Sequence, residues 1–388
     1  MTANKLDPIV VVGSGLAGYT MIRQLRQHDP SRPVVLVTAD GGEVYSKPLL
    51  SNALAKHETP DSLIQKTAED KARELDVVLV SRCRALSIDA ERRILHTSRG
   101  DFAYSDLVLA TGASQRIIWP ENAERDWIDT VNNLDDYRRW YGKLGAGAKR
   151  VLLIGAGLIG SEFADDLMSR GVDVDLVDPA PWPLSRLLPE AIGQRLAQNF
   201  DAAGARLHMG RSVKRLDRDE AGQYVARLDN GERLNCDLVL SAVGLVPETD
   251  LAASAGVAIG RGVKVDEHLR TSDPHIFAMG DCAETTAGVL PYILPLMAQA
   301  KVLARVLAGA EQRLEMKAMP VTVKTTSLSL VVCPPNANVS GGWSVEGQGD
   351  DFAAVFRDSE GMPRGFALSG TAVDRRSEFG RQMPALIS

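Results

Sequence analysis

The chain carries one short pattern twice, GSGLAG at 13–18 and GAGLIG at 155–160, each directly after an apolar run, Ile9–Val12 and Val151–Ile154. With 34 glycines among 388 residues, a GxGxxG arises by chance about 0.3 times per chain, so one copy says little and two behind strand-like runs say much. A bound pyrophosphate accounts for the spacing. Gly13 and Gly155 allow the tight turn, Gly15 and Gly157 let backbone approach the phosphates, and Gly18 and Gly160 pack helix against strand. The N-terminus of each following helix then turns its N–H groups and positive dipole end toward the anion. Leu16, Ala17 and Ile159 fill the loop positions between the glycines. The repeat predicts two α/β nucleotide-binding units, one for each of two dinucleotides.

Each unit needs a second strand that ends beside the adenosine ribose. In the later copy VDVDLVD ends at Asp178, eighteen residues past Gly160, which is the spacing of an acid that accepts from ribose hydroxyls. In the earlier copy the strand Pro33–Thr38 runs into Thr38-Ala39-Asp40, so the acid arrives late. A second echo follows the first: YSDLVLATGAS at 104–114 and CDLVLSAVGLVPET at 236–249 each read as a strand running into a glycine turn that closes its unit. Ala110, Thr111, Gly112 and Gly244 lie at those turns.

TSDPHIFAMGDCAE at 271–284 sets another strand before Gly280-Asp281, with a helix expected over about 295–308. An acid at such a junction accepts from a ribityl hydroxyl while the helix N-terminus faces phosphate. From about Leu314 the character changes to strand-like stretches at Pro320–Lys324, Leu328–Val332, Phe352–Arg357 and Gly365–Thr371, broken by CPPNANVSGG at 333–342. A small α+β unit is expected there.

Composition narrows the partners. A net charge of −6 and the lack of any Lys/Arg run of five argue against nucleic acid or an anionic membrane as partner. No apolar run approaches the ~20 residues that span a bilayer, and Met1–Pro8 shows no basic-then-apolar leader, so a cytoplasmic location is expected. Cys83, Cys236, Cys282 and Cys333 stand about fifty residues or more apart, which predicts buried thiols rather than disulfides or zinc ligands. The six histidines form no HExxH or close pair, and no GxSxG elbow occurs, so neither a metal site nor a nucleophilic serine is expected.

Together these stretches resemble the pyridine-nucleotide-dependent flavoprotein reductases built on the two-dinucleotide fold of glutathione reductase. VVVGSGLAGY at 10–19, VLLIGAGLIGSEFADDL at 151–167, CDLVLSAVGL at 236–245 and GDCAE at 280–284 carry the likeness. YSKPLLS at 45–51 and MPVTVKT at 319–325 point to the branch of the rubredoxin–NAD reductases, and LPLMAQA at 294–300 extends the match. The resemblance implies two Rossmann-like, glutathione reductase-type domains plus a small α+β C-terminal domain. It places an FAD domain at 1–115 and 244–313, an NAD domain at 116–243 between those halves, and the C-terminal domain at 314–388.

By the same resemblance GSGLAG holds the FAD pyrophosphate and GAGLIG holds NAD(H), while Thr38 and Ala39 lie at the end of the second FAD strand. Ala85 approaches the adenine through its backbone, Asp281 binds the ribityl chain, and Ile293 and Lys324 stand beside the isoalloxazine. Lys47, followed by Pro48, faces the flavin N5 edge opposite Glu162, in the first turn of its helix, and these two are the catalytic candidates. A cation there favours the negative charge that builds as the flavin takes hydride from NADH. Related ferredoxin reductases carry an FAD-contacting arginine in an RTLED-like stretch; here the residues are Val131-Asn132-Asn133-Leu134-Asp135, and no such arginine is assigned.

Residues 1–82 contain no cysteine, so no thiol relay is expected and the electrons must go to an outside acceptor. The resemblance implies rubredoxin, supplying an oxygenase such as an alkane hydroxylase or an oxygen-detoxifying system. A ferredoxin or flavorubredoxin as acceptor, and a non-enzymatic NADH-sensing flavoprotein, stay open. An acidic carrier would need a local basic surface on this acidic chain, and Arg82, Arg84, Arg92 and Arg93 are the sequence candidates.

Overall fold

The structure is a computed structural model that describes residues 7–220, 222–336 and 338–387. Residues 1–6 of the N-terminal stretch and Ala337 of the CPPNANVSGG break lie outside the described residues.

Five parallel strands form the first sheet, in the spatial order 276–278, 106–109, 9–12, 34–37, 78–80. Its central members Ile9–Val12 and Val34–Val37 are buried along their whole length. Strands covered on both faces favour unbroken β-branched runs, which is what these segments are. Helix Leu16–His28 lies against helix Ile293–Leu307, so the segment after the first glycine loop and the segment after Gly280-Asp281 pack as neighbours. The expected helix at 295–308 thus starts two residues earlier, with Pro295 in its first turn, where its missing N–H costs nothing.

The second sheet is also parallel, in the order 206–209, 173–178, 150–154, 238–241. In both sheets the strand before the glycine loop sits between its own successor and a strand from much later in the chain. That arrangement is a topological switch point, where open α/β sheets bind ligands beyond the carboxyl ends of their strands. The chain passes between the two sheets on adjoining antiparallel segments, Ala113–Gln115 outward and Leu245–Pro247 back.

The C-terminal segment folds into a five-stranded antiparallel sheet in the order 321–323, 330–333, 363–369, 351–358, 341–348, closed by helix Arg376–Gln382. Strand Gly341–Gln348 has no counterpart among the strand-like stretches of the sequence. It is an edge strand, exposed along almost all its length and rich in glycine, so it carries no alternating apolar signal.

One apolar cluster spans three parts of the chain: Leu50 and Leu54, then Trp140 and Phe163, then Val323 and Leu330. Fully burying a side chain such as Phe163 is worth roughly 1.5–3 kcal/mol, so this shared core fixes the C-terminal sheet against the second nucleotide sheet and the segment around Leu50 and Leu54. All four cysteines are free and buried, as their isolation in sequence led one to expect. No described helix is long and apolar enough to cross a membrane.

Candidate active site

The two glycine loops repeat each other in space. Gly13 has φ +112° and a Cβ on it would collide with the Ala110 carbonyl; Gly155 has φ +106° and a Cβ there would meet the Ala242 carbonyl at 2.7 Å. In each loop the third glycine, Gly18 or Gly160, lies so close to the carbonyl of the first that no side chain fits. The middle glycines differ: a Cβ on Gly15 or Gly157 meets nothing within 4 Å. Each is also the N-cap of its helix, with no side-chain cap and no acid in the first turn. By contrast helices Ala68–Leu75 and Leu134–Gly145 are capped by Thr67 and Asn133 and carry Glu69, Asp70, Asp135 and Asp136 in their first turns. Two helix N-termini left bare of their own anions fit the pyrophosphates of two dinucleotides.

An acid stands against each loop. Asp178 Oδ2 accepts from the Ala156 N–H at 2.6 Å and its Oδ1 from the Ala180 N–H at 2.7 Å, which ties the end of strand Asp173–Asp178 to the second loop. In the first loop the late acid has the same role: Asp40 Oδ1 accepts from Ser14 Oγ at 2.9 Å and from Thr38 Oγ1 at 2.6 Å. Asp40 is the late acid named in the sequence as the counterpart of Asp178, whereas no pattern marked Ser14. Backbone at 82–83 comes to the same strand end, with Arg82 N donating to Asp40 O and Cys83 N to Thr38 O, just before Ala85 opens strand Ala85–Asp89.

Gly280, with φ +75°, packs so that a Cβ on it would come within 3.1 Å of Ala17 Cβ. Gly280-Asp281 thus sits beside the first glycine loop. Gln299, only 1% exposed, fixes the turn by accepting from the Gly280 N–H at 2.7 Å. This glutamine lay inside LPLMAQA, and no sequence pattern marked its role. Burial pushes the Asp281 pKa up, against the pull of Lys47. Surrounding protein in turn pushes the Lys47 pKa down, against Asp281 and Asp136. The cation and the acid therefore face one region; Leu16 and Ile293, the first residues of helices Leu16–His28 and Ile293–Leu307, keep large apolar side chains exposed.

The expected pairing of Lys47 with Glu162 is corrected by the structure. Lys47 begins the 3-10 turn Lys47–Asn52, and its Nζ donates to Asn132 Oδ1 at 2.7 Å. Glu162 is 2% exposed and is bound instead at the other end of that turn and by the C-terminal sheet. Its Oε2 accepts from Ser51 Oγ at 2.6 Å and from Lys324 Nζ at 2.9 Å, and its Oε1 from the Lys324 N–H at 3.0 Å. Lys324 Nζ also donates to Pro48 O. Glu162 lies beyond the first turn of helix Leu158–Met168, so it is not a dipole acid either.

The next acids on that helix continue the pattern. Asp165 accepts from Thr326 N at 2.6 Å, Thr326 Oγ1 at 2.7 Å and Ser327 N at 3.1 Å. Asp166 accepts from Leu54 N at 3.1 Å and Ala55 N at 2.7 Å, and burial pushes its pKa up to about 6. One helix of the second sheet thus holds both the 47–55 turn and the 324–327 segment through three buried acids.

Three of the four arginines named as a docking patch, Arg82, Arg92 and Arg93, have side-chain partners on this chain. Arg82 pairs with Asp135 at 2.8 Å, Arg92 with Asp89 at 3.9 Å, and Arg93 bonds His275 at 2.6 Å. Among the described residues no cluster of His, Cys, Asp and Glu has metal-site geometry.

Residues 7–304 match the pyridine nucleotide-disulphide oxidoreductase family, and residues 313–383 match the rubredoxin binding C-terminal domain. The chain is 40% identical to a rubredoxin-NAD(+) reductase of Alcanivorax borkumensis, over 98% of this chain and 100% of that protein. It is 37% identical to the nitric oxide reductase FlRd-NAD(+) reductase of Aeromonas salmonicida, over 97% and 96%. Among solved structures, the reductase in the covalent putidaredoxin reductase–putidaredoxin complex superposes with a TM-score of 0.88 at 25% identity, covering 98% of this chain and 94% of that one.

Proposed function

Because the chain belongs to the pyridine nucleotide-disulphide oxidoreductase family and carries a rubredoxin-binding C-terminal domain, we propose that it takes electrons from NADH and delivers them to rubredoxin. FAD, when bound, supplies the chemistry that accepts two electrons together and releases them singly. We assign the FAD pyrophosphate to Gly13–Gly18, the ribityl chain to Asp281, and NAD(H) to Gly155–Gly160 with its ribose at Asp178. Residues 1–115 with 244–313, 116–243 and 314–388 form the three units of this reading, and its place in the cell is the cytoplasm.

The observation that carries the proposal is the junction at Lys324. A residue of the carrier-binding domain is held by Glu162 of the helix that follows the NAD loop and by Pro48 of the turn that starts with Lys47. On this reading NADH donor, flavin edge and carrier domain meet around that junction, which is what sequential electron transfer needs. All four free cysteines are buried, which does not suit a relay to an outside carrier. Burial pushes the Cys236 thiol up to about 12 and Cys333 up to about 11, so neither supplies a thiolate near neutral pH.

The docking face we assign to a groove of about 710 Å³ between the start of helix Ile293–Leu307 and helix Arg376–Gln382. Leu294, Pro320 and Met383 give it an apolar floor, while Lys317, Arg376 and Arg381 line it with positive charge and no acid among its described residues. An acidic carrier suits such a surface, although the chain as a whole is negative. The likeness to the Aeromonas protein supports flavorubredoxin as a second acceptor.

Steady-state turnover of the FAD-loaded protein with NADH, comparing a rubredoxin with a plant-type ferredoxin at equal concentration, tests the reading. Rubredoxin is expected to be reduced at least tenfold faster. Reduction of the ferredoxin alone would overturn the carrier assignment.

A further inference from the structure

Lys47 ends on an amide rather than a carboxylate. Its Nζ donates to Asn132 Oδ1 at 2.7 Å, and the same amide is held from its other side, where Nδ2 donates to Ala113 O at 2.8 Å. Only one orientation of that amide satisfies both neighbours, because turning it over would set an NH2 against the ammonium and an oxygen against the carbonyl. The Asn132 backbone N–H donates to Asp136 Oδ2 at 3.0 Å, which fixes the residue at the entrance to helix Leu134–Gly145. Ala113 in turn opens the strand pair that joins the two nucleotide sheets. The anchor is therefore rigid, and it is part of the connection between the two units.

A neutral acceptor does something a carboxylate would not. It directs a long flexible side chain and leaves its positive charge uncancelled, whereas a carboxylate at the same distance would neutralise it. Asp281 and Asp136 act on Lys47 only through space.

We infer that Asn132 is a positioning residue: it holds the Lys47 ammonium at the flavin edge with its charge intact, which favours the reduced flavin. The inference rests on the reading that Lys47 faces the flavin. Neither amide bond requires bound cofactor, so the device is built into the polypeptide.

Redox titration of the bound flavin against a reference dye, in the FAD-loaded wild type, Lys47→Met, Asn132→Ala and the double variant, decides the matter. Lys47→Met is expected to lower the equilibrium constant for two-electron reduction about tenfold, which is ~30 mV. Asn132→Ala is expected to lower it about three- to tenfold in the wild type and less than twofold in the Lys47→Met background. An unchanged potential in Asn132→Ala, or the same shift in both backgrounds, overturns the positioning role while leaving Lys47 at the flavin. No shift in Lys47→Met overturns the inference together with the reading beneath it. Should Asn132→Ala fail to retain FAD, Asn132→Ser, whose hydroxyl is too short to reach the ammonium, carries the same expectation.

Discussion

Lys324 Nζ lies 2.9 Å from Glu162 Oε2, joining residues 162 positions apart and closing the C-terminal sheet onto the helix that follows the second glycine loop. The two partners are not equivalent: Glu162 is 2% exposed, whereas the Lys324 side chain keeps 30% of its surface in solvent. Removing the lysine strands a buried carboxylate; removing the carboxylate leaves a cation that water can reach. Lys324→Met is therefore expected to cost about 2–3 kcal/mol, and Glu162→Gln about half as much. Urea unfolding of both variants checks this, and equal losses would contradict the asymmetry.

Asp178 bonds two backbone N–H groups beside the second loop, and the following Pro179-Ala180-Pro181-Trp182 offers no cation for a 2′-phosphate. NADH is expected to be preferred over NADPH, and Asp178→Asn to lower kcat/KM for NADH about tenfold, ~1.4 kcal/mol, with little effect on NADPH. Initial rates with both nucleotides measure it. Equal kcat/KM values in the wild type would remove Asp178 from the ribose.

Asp166 is fully buried, and its pKa is pushed up to about 6 by desolvation, above the ~3.9 of an unfolded aspartate. The folded chain then binds the proton more tightly than the unfolded one. Its contribution to stability is fully present below about pH 4 and is lost as pH rises through about 6, by up to roughly 3 kcal/mol. The stability difference between wild type and Asp166→Asn, measured in urea from pH 4 to 7, should shift in favour of the variant as pH rises. A difference that does not move with pH would contradict the raised pKa.

Charge reversal in the assigned docking groove separates carrier delivery from flavin reduction. Arg376→Glu and Arg381→Glu together are expected to slow rubredoxin reduction at least tenfold at low ionic strength and to leave NADH-to-ferricyanide turnover within twofold. The wild-type rubredoxin rate is expected to fall as salt rises to physiological strength, where the screening length is ~8 Å. A salt-insensitive rate would mean that docking is mainly apolar.

The parts legible in the sequence were those that local chemistry dictates. Ile9–Val12 and Val151–Ile154 show themselves because strands covered on both faces need continuous apolar runs. Gly13 and Gly155 show themselves because only glycine tolerates both a positive φ and a carbonyl against its Cα. The ion pairs were not legible. Whether Lys47 meets Glu162 or Asn132 depends on how a turn at 47–52, a helix at 158–168 and the C-terminal sheet pack together, and no spacing within one segment records that. Ser51 and Gln299 were hidden for the same reason, as polar residues whose partners lie 111 and 19 positions away. Edge strand Gly341–Gln348 was hidden because it buries almost nothing.

On this account electron flow runs from NADH through bound FAD to rubredoxin. Anaerobic stopped-flow measures it directly: the FAD-loaded protein is mixed with one equivalent of NADH, and oxidised rubredoxin is added once the flavin absorbance has settled. The expected result is loss of the flavin band within the first mixing, followed by its return as rubredoxin bleaches, two rubredoxins for each flavin. A flavin that NADH does not bleach, or a bleached flavin that rubredoxin leaves reduced, would contradict the account.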